Sequence, residues 1–563
     1  MQMSVPESDA APMKSRFTAA MLLALWALFF LTPGFFTLPP LDRDESRFAQ
    51  ATKQMLQTGD PVEIRYQDDA RNKKPVGIYW MQSASAAALG GPDNAPIWAY
   101  RIPSAIGAML AIIFTYMAGA ALFDRRSAAI GAGVLAISML LVAEGHIGKT
   151  DAMMCATIAA MQAGLARTFM RHREDPLAAA RWSDILLVWG GLAMSALIKG
   201  PVGLMVGALT VLGVWLLGGG IKWFGKTRPA VGLPLALLVL LPWAIAITVQ
   251  TGGQFWYDAI FGDMLSKVVS GQEKHGGFPG YYLLLVTLTL FPGSLVLLPS
   301  AWRTMQMRKV PWAMFLIAWA VPTWLFFEIM PTKLPHYVLP MYPALALAIG
   351  AFVAARLNGE PDTTPRWAQI ANLVLWGIFA VAIAALMIAA PMEYADGVGV
   401  IDIALAMAVL AASGVFAMMI ISKSWRLFLP AGAVLAALVF AGLFERTLSV
   451  AQDLHVSPRL AATARNAGWT PGIPISAAGY HEPSLVFLTA TDLALVDDGA
   501  AAAAFLKAHP EGFAMVEKRQ LDAFLAALGH DGTRADHVGT IDGFNYSRGQ
   551  KVTIALYRAR AQR

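Results

Sequence analysis

The sequence predicts a polytopic α-helical membrane protein that ends in a small soluble α/β domain. Three observations predict it. Of 563 residues, 57% are hydrophobic and only 14% charged, where a soluble chain carries about a quarter charged residues. Apolar runs of about 20 residues recur from residue 17 to residue 447, separated by short basic or Gly/Pro-rich segments. After residue 448 the runs shorten to stretches such as "IPISAAGY", "SLVFLTA" and "KVTIALYR", with Ala-rich helical segments between them.

The elements follow in order. The first run, 17–38, comes after Lys14 and Arg16 as a signal peptide would, but it lacks a clear small-residue cleavage site and many spans follow. It reads as a retained helix. Twelve more spans are expected near 97–122, 127–143, 150–170, 184–198, 201–218, 230–250, 279–300, 311–329, 336–355, 367–390, 398–421 and 427–447, about thirteen in all. Charge sets the threading, because cytoplasmic loops collect Lys and Arg. Six alternate loops do so: Arg125–Arg126; Arg167, Arg171, Arg173 and Arg181; Lys222, Lys226 and Arg228; Arg303, Arg308 and Lys309; Arg356 and Arg366; Lys423 and Arg426. A cytoplasmic N-terminus and an odd number of spans leave the tail outside. The expected division is therefore 1–447, a membrane domain, and 448–563, an outer α/β domain.

The longest outer segment is 39–96. In 43–57, Phe48, Ala51, Thr52, Met55 and Leu56 share one helical face, which suits a helix lying on the membrane surface. The formal charge of +6 sits mainly in the inner loops, so it orients the chain rather than pointing to nucleic acid. The single cysteine, Cys155, excludes an intramolecular disulfide and a cysteine-built metal site, and reads as a small buried apolar residue.

The outer segments carry the unusual residues. In "LDRDES", Asp42 and Glu45 have the spacing of a capping box, whereas Asp44 is not needed for a cap. An acid just outside lipid is a candidate proton acceptor or ligand to a cationic group. "RNKKPVGIYW" places Arg71, Lys73 and Lys74 before Tyr79 and Trp80, either at lipid headgroups or at a ligand. "GHIGKTDAMM" brings His146, Lys149 and Asp151 to a helix start, where Thr150 or Asp151 would also serve as an N-cap. Lys199 lies in a short outer turn; Lys267, Glu273, Lys274 and His275 share one loop; Lys333, His336 and Tyr337 share another. Single outer cations read as solvated or snorkelling residues. Several together, beside a carboxylate and an aromatic hydroxyl, suit an anionic ligand such as a lipid phosphate.

The ordered motifs "DRDESRFAQATKQMLQTGD", "KKPVGIYW", "YRIPSAIG", "KTDAMM", "ALIKGPVGL", "LPW", "HGGFPGYYLLLVTLTLFPGS" and "KLPHYVLP" resemble those of GT-C glycosyltransferases that use polyprenyl-phosphate sugars. Within that group the chain most resembles the 4-amino-4-deoxy-L-arabinose lipid A transferases, over roughly residues 40–345. The resemblance implies a GT-C fold, with Asp44 as the catalytic aspartate, Glu45 its neighbour and Asp151 the acid of the "TD" motif. Lys74 then holds the lipid phosphate and Tyr337 is the aromatic of the "KLPxY" motif. Lys73 stands where the family often has an acid, and Lys267 where relatives often have arginine.

The implied reaction moves aminoarabinose from undecaprenyl phosphate to a phosphate of lipid A at the outer face of a bacterial inner membrane, with inversion. Weaker binding of polymyxin and other cationic antimicrobial peptides would follow. Lys74, Lys267 and Tyr337 are expected at the leaving phosphate, with Lys199, His275, Lys333 and His336 as further binding candidates. Asp44 would position the acceptor, take a residual proton or stabilise the cationic anomeric centre. A divalent metal at the outer site stays open. Two other readings remain: a relative that moves another polyprenyl-linked sugar to a protein hydroxyl, and a secondary transporter. The second is disfavoured because the charges gather at span ends rather than at the bilayer midplane.

Overall fold

The computed structural model describes residues 13–265, 277–529 and 535–560. Among the described residues, nine helices are long and apolar enough to cross a membrane. Two bent pairs raise the number to as many as eleven: Arg125–Ala136 with Met139–Gly145, bent by 60°, and Tyr281–Thr289 with Gly293–Gln306, bent by 118°. Helix is also present at the other two expected spans. The first expected span is met by α1 (Met13–Leu31). Asp151–Glu174 carries Gln162 and Arg167 within its apolar stretch. This helix lies deep in the bundle; Gln162 Nε2 donates to Thr210 Oγ1 at 2.7 Å, while its Oε1 has no partner among the described residues.

Small residues let the helices approach closely, as lipid-embedded bundles require. A Cβ at Gly350 would strike the backbone of Ser127 and Gly131, so Tyr342–Leu357 and Arg125–Ala136 touch main chain to main chain there.

The outer segment 39–96 folds into α2 (Asp44–Thr58), a short hairpin of β1 (Arg65–Tyr66) and β2 (Asp69–Ala70), and α3 (Gly77–Ala88). α2 ends on Gly59 in the left-handed conformation, whose N–H donates to Met55 O. Its start differs from the capping-box expectation. Arg43 is the N-cap, no side chain caps the first turn, and the Glu45 carboxylate reaches back to Leu41 N–H rather than to Asp42.

Beyond Val450 the chain forms a five-stranded sheet of β3 (Ile475–Ala478), β4 (Ala494–Val496), β5 (Phe513–Glu517), β6 (Ala535–Asn545) and β7 (Gln550–Ala559), in the order β4-β3-β5-β7-β6. The first three pair in parallel; β5–β7 and β6–β7 are antiparallel. Side chains alternate in direction along a strand, and both faces are covered here. Ile475, Ala477, Phe513, Met515 and Leu556 join one apolar cluster, while Ala478, Ala514, Val516, Ala555 and Tyr557 join another. The domain sits on α2 and the hairpin. Gln50 Nε2 donates to Thr491 Oγ1 at 2.9 Å, Gln67 Nε2 donates to the carbonyls of Thr491 and Leu493, and Phe487 meets the Tyr100 ring edge-on.

Candidate active site

The site begins with a buried ion pair. Arg101, on the helix Ile97–Leu122, and Glu45 are both fully buried and joined by two 2.8 Å hydrogen bonds. Arg101 also donates to the carbonyls of Phe35, Leu38 and Pro39. The Glu45 carboxylate accepts from the N–H of Leu41 and of Gly148, each at 2.8 Å. A desolvated pair persists only when its remaining donors and acceptors are satisfied in this way. One carboxylate thus ties together the end of the first span, the start of α2 and the loop before Asp151.

Asp44, one residue earlier, is exposed, and among the described residues its carboxylate makes no direct hydrogen bond or ion pair. Its charge is felt by Arg71, Tyr79, Lys149 and Tyr337, which places those groups around it. Arg71 lies over the Phe48 ring, 5.2 Å from its centroid, and its Nε donates to Tyr79 Oη at 3.3 Å. Burial disfavours the Arg71 charge, but the Tyr79 phenol and the Asp44 and Asp263 carboxylates hold its pKa above the ordinary value.

Behind Asp44 lies a buried charge cluster. Lys149 Nζ is 3.2 Å from Glu144 and 3.6 Å from Asp151; Lys199 Nζ bonds the other Asp151 oxygen. His336 Nδ1 is 3.2 Å from Lys149 Nζ, and its ring lies within 4 Å of both acids. Lys199 also stands over the Tyr337 ring, 5.7 Å from its centroid. At the rim, Lys74 Nζ pairs with Asp263 at 2.8 Å, and His336 feels the Lys74 charge. Five residues expected from four separate outer segments, Lys74, Asp151, Lys199, His336 and Tyr337, therefore converge with Asp44.

Other candidates lie elsewhere. Lys333 is tied to the carbonyls of Phe327, Glu328 and Met330, where it closes the end of the helix Pro311–Ile329 and does not join the cluster. His146 bonds the carbonyls of Val142 and Pro33 with both ring nitrogens and stacks on Phe444, a structural arrangement. Lys73 is exposed. Lys267, Glu273, Lys274 and His275 lie outside the described residues. Arg101, Glu144 and Asp263 were not singled out from sequence. Glu144 had a usable signal, a lone acid inside "LLVAEG", because an intramembrane acid is costly unless it has a role.

Ligand atoms of Glu144, Asp151 and His336 lie within 4.8 Å of one another. The set does not fit a resident divalent ion as it stands, because the Lys149 and Lys199 ammonium groups already neutralise both carboxylates. A cation would have to displace Lys149, and no chemical step is derived through one. What the arrangement offers is three lysines, each held by a carboxylate, and a tyrosine beside Asp44; an anionic leaving group would share or replace those carboxylate partners.

The chain is similar to several known sugar transferases. A family profile described as "Dolichyl-phosphate-mannose-protein mannosyltransferase" matches residues 73–245, the stretch holding Lys74, Glu144, Lys149, Asp151 and Lys199. Undecaprenyl phosphate-alpha-4-amino-4-deoxy-L-arabinose arabinosyl transferases are similar. The one from Pectobacterium carotovorum is 28% identical over 65% of this chain and 65% of its own length; that from Pectobacterium atrosepticum is 29% identical over 68% and 67%. The match thus spans just under two thirds of the first relative. Among solved structures, ArnT from Cupriavidus metallidurans bound to undecaprenyl phosphate superposes with a TM-score of 0.72 at 19% identity, over 97% of this chain and 98% of that one. Arabinofuranosyltransferase AftD from Mycobacteria gives 0.51 at 14% identity, over all of this chain and 41% of that one. The fold is shared with these sugar transferases.

Proposed function

We propose, for a multi-pass chain with the GT-C fold that is similar to the undecaprenyl phosphate-aminoarabinose transferases, that it transfers 4-amino-4-deoxy-L-arabinose from undecaprenyl phosphate to a phosphate of lipid A. The observation that carries this reading is the convergence of Lys74, Lys149, Lys199 and Tyr337 beside the exposed Asp44 carboxylate. The bond from the anomeric carbon to the donor phosphate breaks, and its electron pair leaves with undecaprenyl phosphate. Cations placed at those oxygens stabilise the growing charge. A phosphate oxygen of lipid A forms the new bond from the opposite face. That acceptor is already largely ionised, so Asp44 serves chiefly to stabilise the cationic anomeric centre. Lys267 and His275 are assigned to the same donor site.

We place residues 1–447 as the transferase domain in a bacterial inner membrane, with 448–563 a periplasmic domain. The six basic alternate loops support this threading. A reporter fused after Arg563 should be active only when it matures outside the cytoplasm; activity of a cytoplasm-only reporter contradicts the threading.

Lipid A from cells with and without the protein tests the function. Mass spectrometry should find aminoarabinose on lipid A phosphate only with the protein present. A protein-hydroxyl acceptor is the second reading, favoured by the mannosyltransferase profile over 73–245. It predicts unchanged lipid A and a glycosylated protein.

Donor binding is tested at Lys74. Lys74→Ala removes a charge-assisted contact worth roughly 1.5–3 kcal/mol, about ten- to a hundredfold in donor affinity, rate or both. Lys73→Ala should cost far less, because its side chain is exposed. Titrating undecaprenyl phosphate against both purified variants separates them; the reverse order of losses contradicts the assignment.

A further inference from the structure

Asp44 is aimed by a turn that its residue types do not favour. Arg43 has φ 65° and ψ −89°, outside the small left-handed well that non-glycine residues with positive φ normally occupy. Such a conformation persists only where its surroundings over-determine it. Two anchors flank it. On the helix side, Glu45 is fixed by Arg101 and by the N–H groups of Leu41 and Gly148.

On the other side, the anchor belongs to the C-terminal domain. The Asp42 N–H donates to Tyr546 Oη, and the Asp42 carboxylate accepts from Ser484 N–H at 3.1 Å. These two partners are themselves held. Ser484 Oγ donates to Ser457 Oγ at 2.6 Å, and Ser457 pairs with Tyr480 Oη at 2.9 Å. Asn545, at the end of β6 beside Tyr546, donates to Glu482 at 2.8 Å. Burial pushes the Asp42 carboxyl up to about 6; the Ser484 bonds and Arg43 oppose this, and Glu482 adds to it. The Tyr546 bond lies at the surface, since Tyr546 is itself exposed, whereas the Ser484 link is half-buried.

We infer that the C-terminal domain, through Tyr546 and Ser484, is a positioning device that locks the Asp42–Arg43 turn and so aims the Asp44 carboxylate, an inference that rests on Asp44 acting at the transferred sugar. The domain contributes no group to the reacting atoms. It acts by denying the turn its relaxation, which would swing Asp44 away from Lys149 and Tyr337.

The test uses the full chain in lipid nanodiscs, with undecaprenyl phosphate-aminoarabinose as donor and lipid A as acceptor. Tyr546→Phe keeps the ring and removes the acceptor oxygen. It should lower kcat about tenfold, with donor KM and thermal midpoint little changed, the pattern of a lost transition-state arrangement rather than lost binding or folding. Asp42→Ala, which cuts the Ser484 link from the other side, should reproduce the kcat loss and serves alone should Tyr546→Phe fail to fold. Glycine takes the mirror image of an allowed conformation without steric cost. In an Arg43→Gly background the strain is gone, so Tyr546→Phe should cost only about twofold, a non-additivity expected of coupled neighbours. Wild-type kcat in both clamp variants, losses that track the thermal midpoint, or full additivity with Arg43→Gly each overturn the inference. Asp44→Asn in the same assay separates the two claims. If it retains transfer, the role of Asp44 fails first; if it is inactive while both clamp variants work normally, the clamp alone fails.

Discussion

Asp44→Asn should abolish nearly all transfer while leaving insertion and thermal midpoint unchanged. The side chain is exposed and makes no direct bond among the described residues, so an isosteric neutral amide removes nothing that holds the fold. The charge it removes faces Arg71, Lys149 and Tyr337, where the proposed reaction would bring the sugar and its two phosphates together. Groups that move a proton or stabilise developing charge are worth roughly 10²–10⁴ in rate. Single-turnover transfer by purified protein, beside a melting curve, measures both quantities. A variant with more than about a tenth of wild-type rate would be well below that range and would remove Asp44 from the site.

The opposite pattern is expected one residue later. Glu45→Gln should be strongly destabilising, by about 3–5 kcal/mol, because it leaves the fully buried Arg101 without its carboxylate. The local pattern in the sequence suggests a cap, whose loss would cost only about 1 kcal/mol. In the fold, the same carboxylate satisfies Arg101 and the N–H groups of Leu41 and Gly148. The chain should accumulate poorly and melt at markedly lower temperature, with lost activity following lost fold. Arg101→Met should fail alike. A Glu45→Gln protein with near wild-type stability would show that the pair contributes little and would restore the capping interpretation.

These two neighbours show what could be read before any coordinates. Hydropathy anticipated the nine to eleven membrane-length helices among the described residues, because lipid imposes a length and composition that one sequence window can sense. It could not register the 60° and 118° bends, nor that Gln162 of Asp151–Glu174 donates to Thr210 on another helix. For the site, unusual charge in outer loops was enough to single out Lys74, Asp151, Lys199, His336 and Tyr337. Lys333 carried the same signal yet serves its own helix end, since a cation's position outside lipid says nothing about which carbonyls it meets. Glu45 was misassigned for a related reason. A capping box is a four-residue pattern, whereas its true partner is Arg101, 56 residues away. Asp263 became visible only as the partner of Lys74, whereas Glu144, the partner of Lys149, was legible as a lone acid in an apolar run.

The central claim is a transfer between two lipid phosphates, and reconstitution tests it most directly. Purified chain in nanodiscs would receive undecaprenyl phosphate-aminoarabinose with lipid A, and in parallel a polyprenyl-phosphate mannose donor with a serine- and threonine-containing peptide. The account predicts lipid A carrying one or two added aminoarabinose groups on phosphate, formed by wild type and not by Asp44→Asn, and no sugar on the peptide. Glycosylated peptide with unmodified lipid A would contradict it, and would assign the Asp44 carboxylate to deprotonating a hydroxyl.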